Sequence, residues 1–129
     1  MSNISGVGID IVEIKRLTSI LKKNKSFKSR IFSKTEINFC EKKLNKFNCY
    51  SKRFAAKEAF SKAIGTGISK GINFNEITVE NNSLGKPNIK LKGKTQSIVK
   101  KIIKKRPFNI FLSLSDEKKY AIAIIIISS

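Results

Sequence analysis

The chain of 129 residues contains no histidine and only two cysteines, Cys40 and Cys49. A histidine general base is therefore excluded, and two thiols without an imidazole partner complete no structural zinc site. Reduced thiols in a cytoplasmic setting are the default expectation for such a pair. The longest apolar run, Ala121 to Ile127, falls far short of the roughly 20 residues a spanning helix needs. Its isoleucines suit a buried strand instead, and no membrane partner is expected. The opening residues MSNISGVGID have neither a basic n-region nor a small-residue cleavage site, so no secretory signal is expected. There is no tryptophan and no zinc-finger or RNP-like motif, so no specific nucleic-acid partner is expected.

Carboxylates are scarce as well: nine acids stand against 27 cations, a formal net charge of +18. Asp10 and Asp116 are the only aspartates, which makes the position of each acid informative. Lysine dominates the cations, and Lys, Ile and Asn are abundant together, a joint bias that an A/T-rich genome imposes on any protein. Compositional drift is one origin of the charge; attraction for an anionic ligand or an acidic protein is the other. Hydrophobic content of 40% and charged content of 28% fit a folded globular chain. Without a repeat or linker, residues 1–129 read as one domain with a single core.

Ile4 to Ile11 alternates small and β-branched residues and predicts a strand ending near Asp10. From Val12 to about Lys25, Ile14, Leu17 and Leu21 recur at helical spacing, with cations outside that stripe. Ser33 to Glu36 (SKTE) is a capping box that opens a second helix toward Lys43. A third helix is predicted from about Ser51 to Ile64, with Gly65 as its stop. Asn75 to Glu80 and Asn88 to Lys92 flank a turn and predict a hairpin. A fourth helix spans about Thr95 to Lys105, and Asn109 to Ser115 pairs with Tyr120 to Ile127. Grouped helices and sequential hairpins predict an α+β fold with a mainly antiparallel sheet.

Arg53 to Ile68, RFAAKEAFSKAIGTGI, holds the chemistry. Phe54, Glu58 and Lys62 share one helical face, and a solvated Glu–Lys pair at that spacing needs no function. Asp10, projecting from a strand facing that helix, supplies a second carboxylate. Two carboxylates amid cations suit magnesium holding a phosphorylated ligand, since Mg²⁺ takes hard oxygen donors and completes its shell with phosphate and water. Gly65, Thr66 and Gly67 permit close backbone approach to an anion, or simply cap the helix. Gly85, Lys86 and Pro87 read as a turn by themselves.

Taken in order, GVGIDIVEIKRL, RIFSKTE, RFAAKEAFSKAIGTGI, the LGKP turn and YAIAIIII resemble the holo-[acyl-carrier-protein] synthases, the small class of 4′-phosphopantetheinyl transferases. The resemblance covers essentially the whole chain. It implies an α+β homotrimer with clefts between protomers. The implied reaction moves phosphopantetheine from coenzyme A to a serine of acyl carrier protein in fatty acid biosynthesis, releasing adenosine 3′,5′-bisphosphate. By position, Asp10 and Glu58 correspond to the metal ligands, and with Lys62 to the catalytic group. Arg53, Lys57, Lys62, Gly65, Thr66, Gly67, Gly85, Lys86 and Pro87 correspond to coenzyme contacts. Lys15, Arg16, Ile20, Lys23 and Arg30 correspond to the carrier-protein surface. Some family members carry a histidine in the strand–turn that corresponds to Ser113–Glu117 here, so Asp116 either replaces that contact or shapes the hairpin turn, and the proton acceptor is Glu58 or water.

Overall fold

The computed structural model describes residues 3–65, 71–104 and 107–129. The chain runs β1 (Ile4–Glu13), α1 (Ile14–Lys23), α2 (Lys25–Ile31), α3 (Lys34–Glu41), α4 (Lys46–Ile64), a 3₁₀ turn at Phe74–Glu76, β2 (Ile77–Asn81), β3 (Pro87–Leu91), α5 (Gly93–Ile102), β4 (Asn109–Asp116) and β5 (Tyr120–Ser128). The class is α+β, and every strand pairing among the described residues is antiparallel. There are two sheets rather than one: β1-β5-β4, and the separate hairpin β2-β3.

Local chemistry accounts for several boundaries. Ser33 caps α3 by accepting from the Glu36 amide while Glu36 reaches back to the Ser33 amide, the reciprocal box expected from SKTE. Gly65 ends α4 in the left-handed region at φ +79°, its amide donating to the carbonyls of Ser61 and Lys62. Asn82 Oδ1 accepts from the amides of Leu84 and Lys86 and so builds the β2–β3 turn.

Three boundaries depart from the sequence reading. β1 continues three residues past Asp10, because pairing with β5 extends to Glu13 opposite Tyr120. A short helix, α2, fills the stretch after Asn24, whose side chain caps the Phe27 amide at 3.2 Å. α4 begins at Lys46, ahead of Ser51, because Cys49 and Tyr50 are buried and tertiary packing recruits a stretch of poor helix formers. Cys40 and Cys49 are also joined as a disulfide, not left as separate thiols, which ties the end of α3 to the first turn of α4.

α4 is the axle of the molecule. It packs on β1 and β5, and Ala55, Ala56, Ala59 and Phe60 are fully buried in the same core as Ile125 and Ile127. Its short side chains bring the sheet close, and β1 answers with glycine on the facing parity. A Cβ at Gly6 would lie 2.0 Å from the Ala63 carbonyl oxygen, and one at Gly8 would lie 1.8 Å from that of Ala59. The next residue on that face is Asp10. By contrast, a Cβ at Gly65 would meet nothing within 4 Å. Gly8→Ala is expected to cost about 3 kcal/mol or more through forced separation of strand and helix. Gly65→Ala is expected to cost about 1–2 kcal/mol, the penalty of the left-handed conformation. Urea unfolding of both variants checks this, and equal midpoints would refute the close approach.

Candidate active site

Asp10, Glu58 and Lys62 converge where β1 crosses the C-terminal half of α4. Lys62 Nζ donates to Asp10 Oδ1 at 2.9 Å and to the Ile9 carbonyl at 3.0 Å. Asp10 is largely covered, while Lys62 remains half exposed. Asp10 and Glu58 line one cleft of about 410 Å³, walled by Phe27, Phe54, Arg16 and Ile20. Partial burial raises the Glu58 carboxyl above its ordinary pKa, and the Asp10 charge raises it further, while Lys62 opposes both.

The donor set fits magnesium in one particular way. Among the described residues no group of three or more His, Cys, Asp or Glu side chains forms a cage. Two carboxylates beside a half-exposed lysine leave the remaining positions to phosphate and water, which is the usual protein share for Mg²⁺.

The other expected contacts divide. Arg53 lies about 7.5 Å along α4 from Glu58 and about 140° around its axis, so it faces a different cleft. That cleft, about 360 Å³, is lined by Lys43, Lys52, Arg53, Asn81, Gly85 and Pro87, among others. Arg53 is only 3% exposed and stacks 4.6 Å from the Phe39 ring centroid. Its Nη2 donates to Asn81 Oδ1 at 2.8 Å, and Asn81 Nδ2 donates to the Gly85 carbonyl at 3.0 Å. A guanidinium thereby joins α4 to the β2–β3 turn. Its Nε is buried without a partner among the described residues. Gly85 holds φ +87°, and Lys86 is exposed beside it. Thr66 and Gly67 lie outside the described residues.

Lys57 is placed differently from a surface contact. It is wholly buried, and its ammonium donates to Glu36 Oε1 at 2.7 Å, to the Phe74 carbonyl at 2.8 Å and to the Ile77 carbonyl. All three donors of a lysine are thereby used. Glu36 Oε2 in turn accepts from the Val79 amide at 2.9 Å. Burial pulls Lys57 down to about 8, opposed by Glu36, and the hydrogen bonds of the pair tie β2 to α4. In this conformation Lys57 offers nothing to a ligand and acts by placing its neighbours.

Lys15, Arg16, Lys23 and Arg30 are exposed, as is Ile20 at 37%. Arg16 and Ile20 also wall the Asp10–Glu58 cleft, so the basic helix borders the chemistry directly. Asp116 accepts from Asn48 Nδ2 at 2.8 Å and pairs with Lys52 Nζ at 3.4 Å, which fastens the β4–β5 turn to α4. Sequence reading passed over Phe27 in the Asp10–Glu58 cleft and Phe39, Lys43 and Asn81 in the Arg53 cleft, since the fold alone brings them to these hollows. Asp10→Asn is expected to lower the Glu58 pKa by removing one of its two upward causes, read by carbon NMR titration of the Glu58 carboxyl in metal-free protein. An unchanged titration would mean that the two carboxylates do not interact.

Comparison with known proteins agrees with this arrangement. Residues 6–125 match the family model of the 4′-phosphopantetheinyl transferase superfamily. The holo-[acyl-carrier-protein] synthase of Pelagibacter ubique is 54% identical over 124 residues, covering 96% of each chain. The crystal structure of holo-[acyl-carrier-protein] synthase from Neisseria meningitidis superposes with a TM-score of 0.85 at 35% identity, covering 97% of this chain and 98% of that one. That of a holo-(acyl-carrier-protein) synthase from Bacillus anthracis, in complex with CoA (3′,5′-ADP), gives a TM-score of 0.78 at 35% identity, covering 98% and 97%. The chain belongs to the holo-[acyl-carrier-protein] synthases of the 4′-phosphopantetheinyl transferase superfamily.

Proposed function

We propose that this chain transfers 4′-phosphopantetheine from coenzyme A to a serine of acyl carrier protein, in the cytoplasm and in the service of fatty acid biosynthesis. The observation that carries the proposal is the meeting of Asp10 and Glu58 in one cleft bordered by a basic helix, with Lys62 bonded to Asp10 beside it. Asp10 and Glu58 would hold Mg²⁺, which when bound supplies charge neutralisation for the pyrophosphate. Lys62 leaves Asp10 for the phosphate oxygens as the substrate arrives. Arg53, with Lys43 and Lys52 beside it, offers positive charge for a phosphate in the second cleft. Gly65, Gly85, Lys86 and Pro87 are proposed coenzyme contacts, as are Thr66 and Gly67. Lys15, Arg16, Ile20, Lys23 and Arg30 orient the carrier protein.

The serine oxygen forms a bond to the β-phosphorus, and the bond to the bridging oxygen breaks, releasing adenosine 3′,5′-bisphosphate. Glu58 or a water takes the serine proton. Such a transfer asks the protein mainly for positioning and charge compensation, so a chain without histidine suffices.

A homotrimer completes the proposal. The outer face of the three-stranded sheet exposes Val7, Ile9, Ile11, Phe111 and Ile122, an apolar patch on strands whose other face is core. Phe111, Ser113, Ile124 and Ile126 share a concavity of about 410 Å³ with Lys86 and Pro87. Burying this patch against a second copy sets one protomer's β2–β3 turn at the boundary. The Arg53 and Glu58 clefts, which open on different sides of α4, could then serve one extended coenzyme across neighbouring subunits.

Incubating apo carrier protein with coenzyme A, Mg²⁺ and enzyme is expected to add about 340 Da to its intact mass, one phosphopantetheinyl group. No gain in mass would overturn the reading. Glu58→Gln should slow this transfer by about 100-fold or more, while melting at or above the wild-type temperature, since it removes a repelled, partly buried charge. Near-normal turnover of that variant would remove Glu58 from the mechanism. Ile122→Glu is expected to give monomers by sedimentation velocity and to abolish transfer, with helical circular dichroism retained. An active wild-type monomer would refute the trimer.

A further inference from the structure

One buried reactive group takes no part in the transfer: the disulfide between Cys40 and Cys49. It bridges nine positions of chain, from the last turn of α3 to the first turn of α4. Cys40 is wholly buried and Cys49 is 5% exposed. Cys49 nevertheless lines the Arg53 cleft, beside Lys43, Lys52 and Arg53. In the cytoplasm proposed for this chain thiols are held reduced, and a disulfide there is as a rule transient, catalytic or redox-sensing. Neither cysteine lines the Asp10–Glu58 cleft, so a role in sensing fits its position better than a role in the chemistry.

The bond fixes the wall that carries the cations. Arg53 Nη1 donates to Cys49 Sγ at 3.4 Å, one turn along α4. Phe39, the residue before Cys40, holds the other side: the Arg53 guanidinium and the Lys43 ammonium each lie 4.6 Å from its ring centroid. Cys40 thus places the ring against which two cations stack, while Cys49 accepts from the guanidinium itself. Between them runs the connection 42–45, which brings Lys43 and Asn45 to the cleft and leaves Leu44 fully exposed. Reduction replaces a covalent bond with a van der Waals contact, so the sulfurs must part where close packing leaves little room. Cys49 belongs to a 19-residue helix packed on two strands. Cys40 lies near the end of an eight-residue helix that leads into the exposed connection. The displacement therefore falls on Cys40, Phe39 and Lys43. Other ties keep α3 in place, for Glu36 remains paired with Lys57, and Tyr50 Oη donates to Glu41 Oε2 at 2.6 Å.

We propose, on the strength of the transferase reading, that Cys40 and Cys49 are positioning residues for the Arg53 cleft and that their oxidation state sets the affinity for the phosphate end of the coenzyme. The disulfide holds Arg53 and Lys43 together on Phe39, and the dithiol lets that wall part. The reductant is a dithiol. One of its thiolates attacks Cys49 Sγ, the less buried sulfur, and forms a mixed disulfide as the bond to Cys40 breaks; the electron pair leaves on Cys40, which takes a proton. The second thiolate of the reductant then attacks its own sulfur of the mixed disulfide and releases Cys49, which is protonated in turn. Two electrons and two protons thereby pass from the dithiol, which ends as a disulfide. Linkage makes the coupling reciprocal: a ligand that binds the oxidised form more tightly must stabilise the disulfide by the same factor.

The test uses the whole enzyme, oxidised with glutathione disulfide or reduced with dithiothreitol, with free thiols counted by alkylation and intact mass. The probe is adenosine 3′,5′-bisphosphate, which carries no thiol, titrated calorimetrically into each form. Its Kd should be about tenfold higher for the reduced enzyme, and Cys40→Ser/Cys49→Ser should bind like the reduced form under either condition. In transfer assays that variant should raise KM for coenzyme A and leave KM for the carrier protein unchanged. A plain structural staple would not produce the reciprocal effect, in which saturating bisphosphate shifts the equilibrium with reduced and oxidised dithiothreitol toward the protein disulfide by the factor seen in Kd. Circular dichroism follows the fold of both forms, and if the serine variant fails to fold, the two forms of the wild type carry the comparison. A Kd within about twofold between the forms overturns the inference. So does loss of helical structure on reduction, or a count of two free thiols after treatment with glutathione disulfide. An enzyme that modifies no carrier protein in either form sinks the transferase reading itself, whereas an active enzyme indifferent to its thiols sinks the redox coupling alone.

Discussion

The structure turns on one close approach, that of the β1 backbone to the α4 backbone. Gly6 and Gly8 stand where any side chain would penetrate the carbonyl oxygens of Ala63 and Ala59. Removing two side chains from the strand and shortening those on the helix lets the elements meet almost main chain to main chain. Asp10 follows on the same face of β1, and Glu58 and Lys62 each precede one of those alanines on α4. Contact geometry in the core and convergence of the polar groups are thus one arrangement. Residues 48 positions apart in the chain, Asp10 and Glu58, face each other because nothing lies between their backbones a turn away.

A second interaction holds α4 at the correct height. The buried pair of Glu36 and Lys57 links the capping box of α3 to α4 and to the backbone of β2. Burying two charges is tolerable because each finds several partners: Lys57 gives all three donors and Glu36 accepts from amides as well as from the ammonium. Removing either partner would strand the other in the core. The capping box, a local signature, is therefore also a tertiary one, since its glutamate serves a strand far along the sequence. Arg53 does for the opposite cleft what Lys57 does for the core, tying α4 to the β2–β3 turn through Asn81.

Charge on this protein is organised rather than merely abundant. Most lysines face solvent, yet those along α1 and at the β4–β5 turn surround hollows continuous with the two carboxylates.

Much of this was legible in the order of residues. Periodicity marked most elements, the SKTE box marked α3, and GVGIDIVEIKRL with RFAAKEAFSKAIGTGI marked the family and its candidate carboxylates, because those signals are local or rest on residue types with narrow physical uses. Only the folded chain could separate Lys57 from Arg53 and Lys62. All three are cations on one helix, and burial follows from what packs against each turn, which no spacing rule encodes. The same holds for the early start of α4 and the joining of Cys40 to Cys49. Such features depend on contacts between segments far apart in sequence, where the free energy of packing overrides local preference.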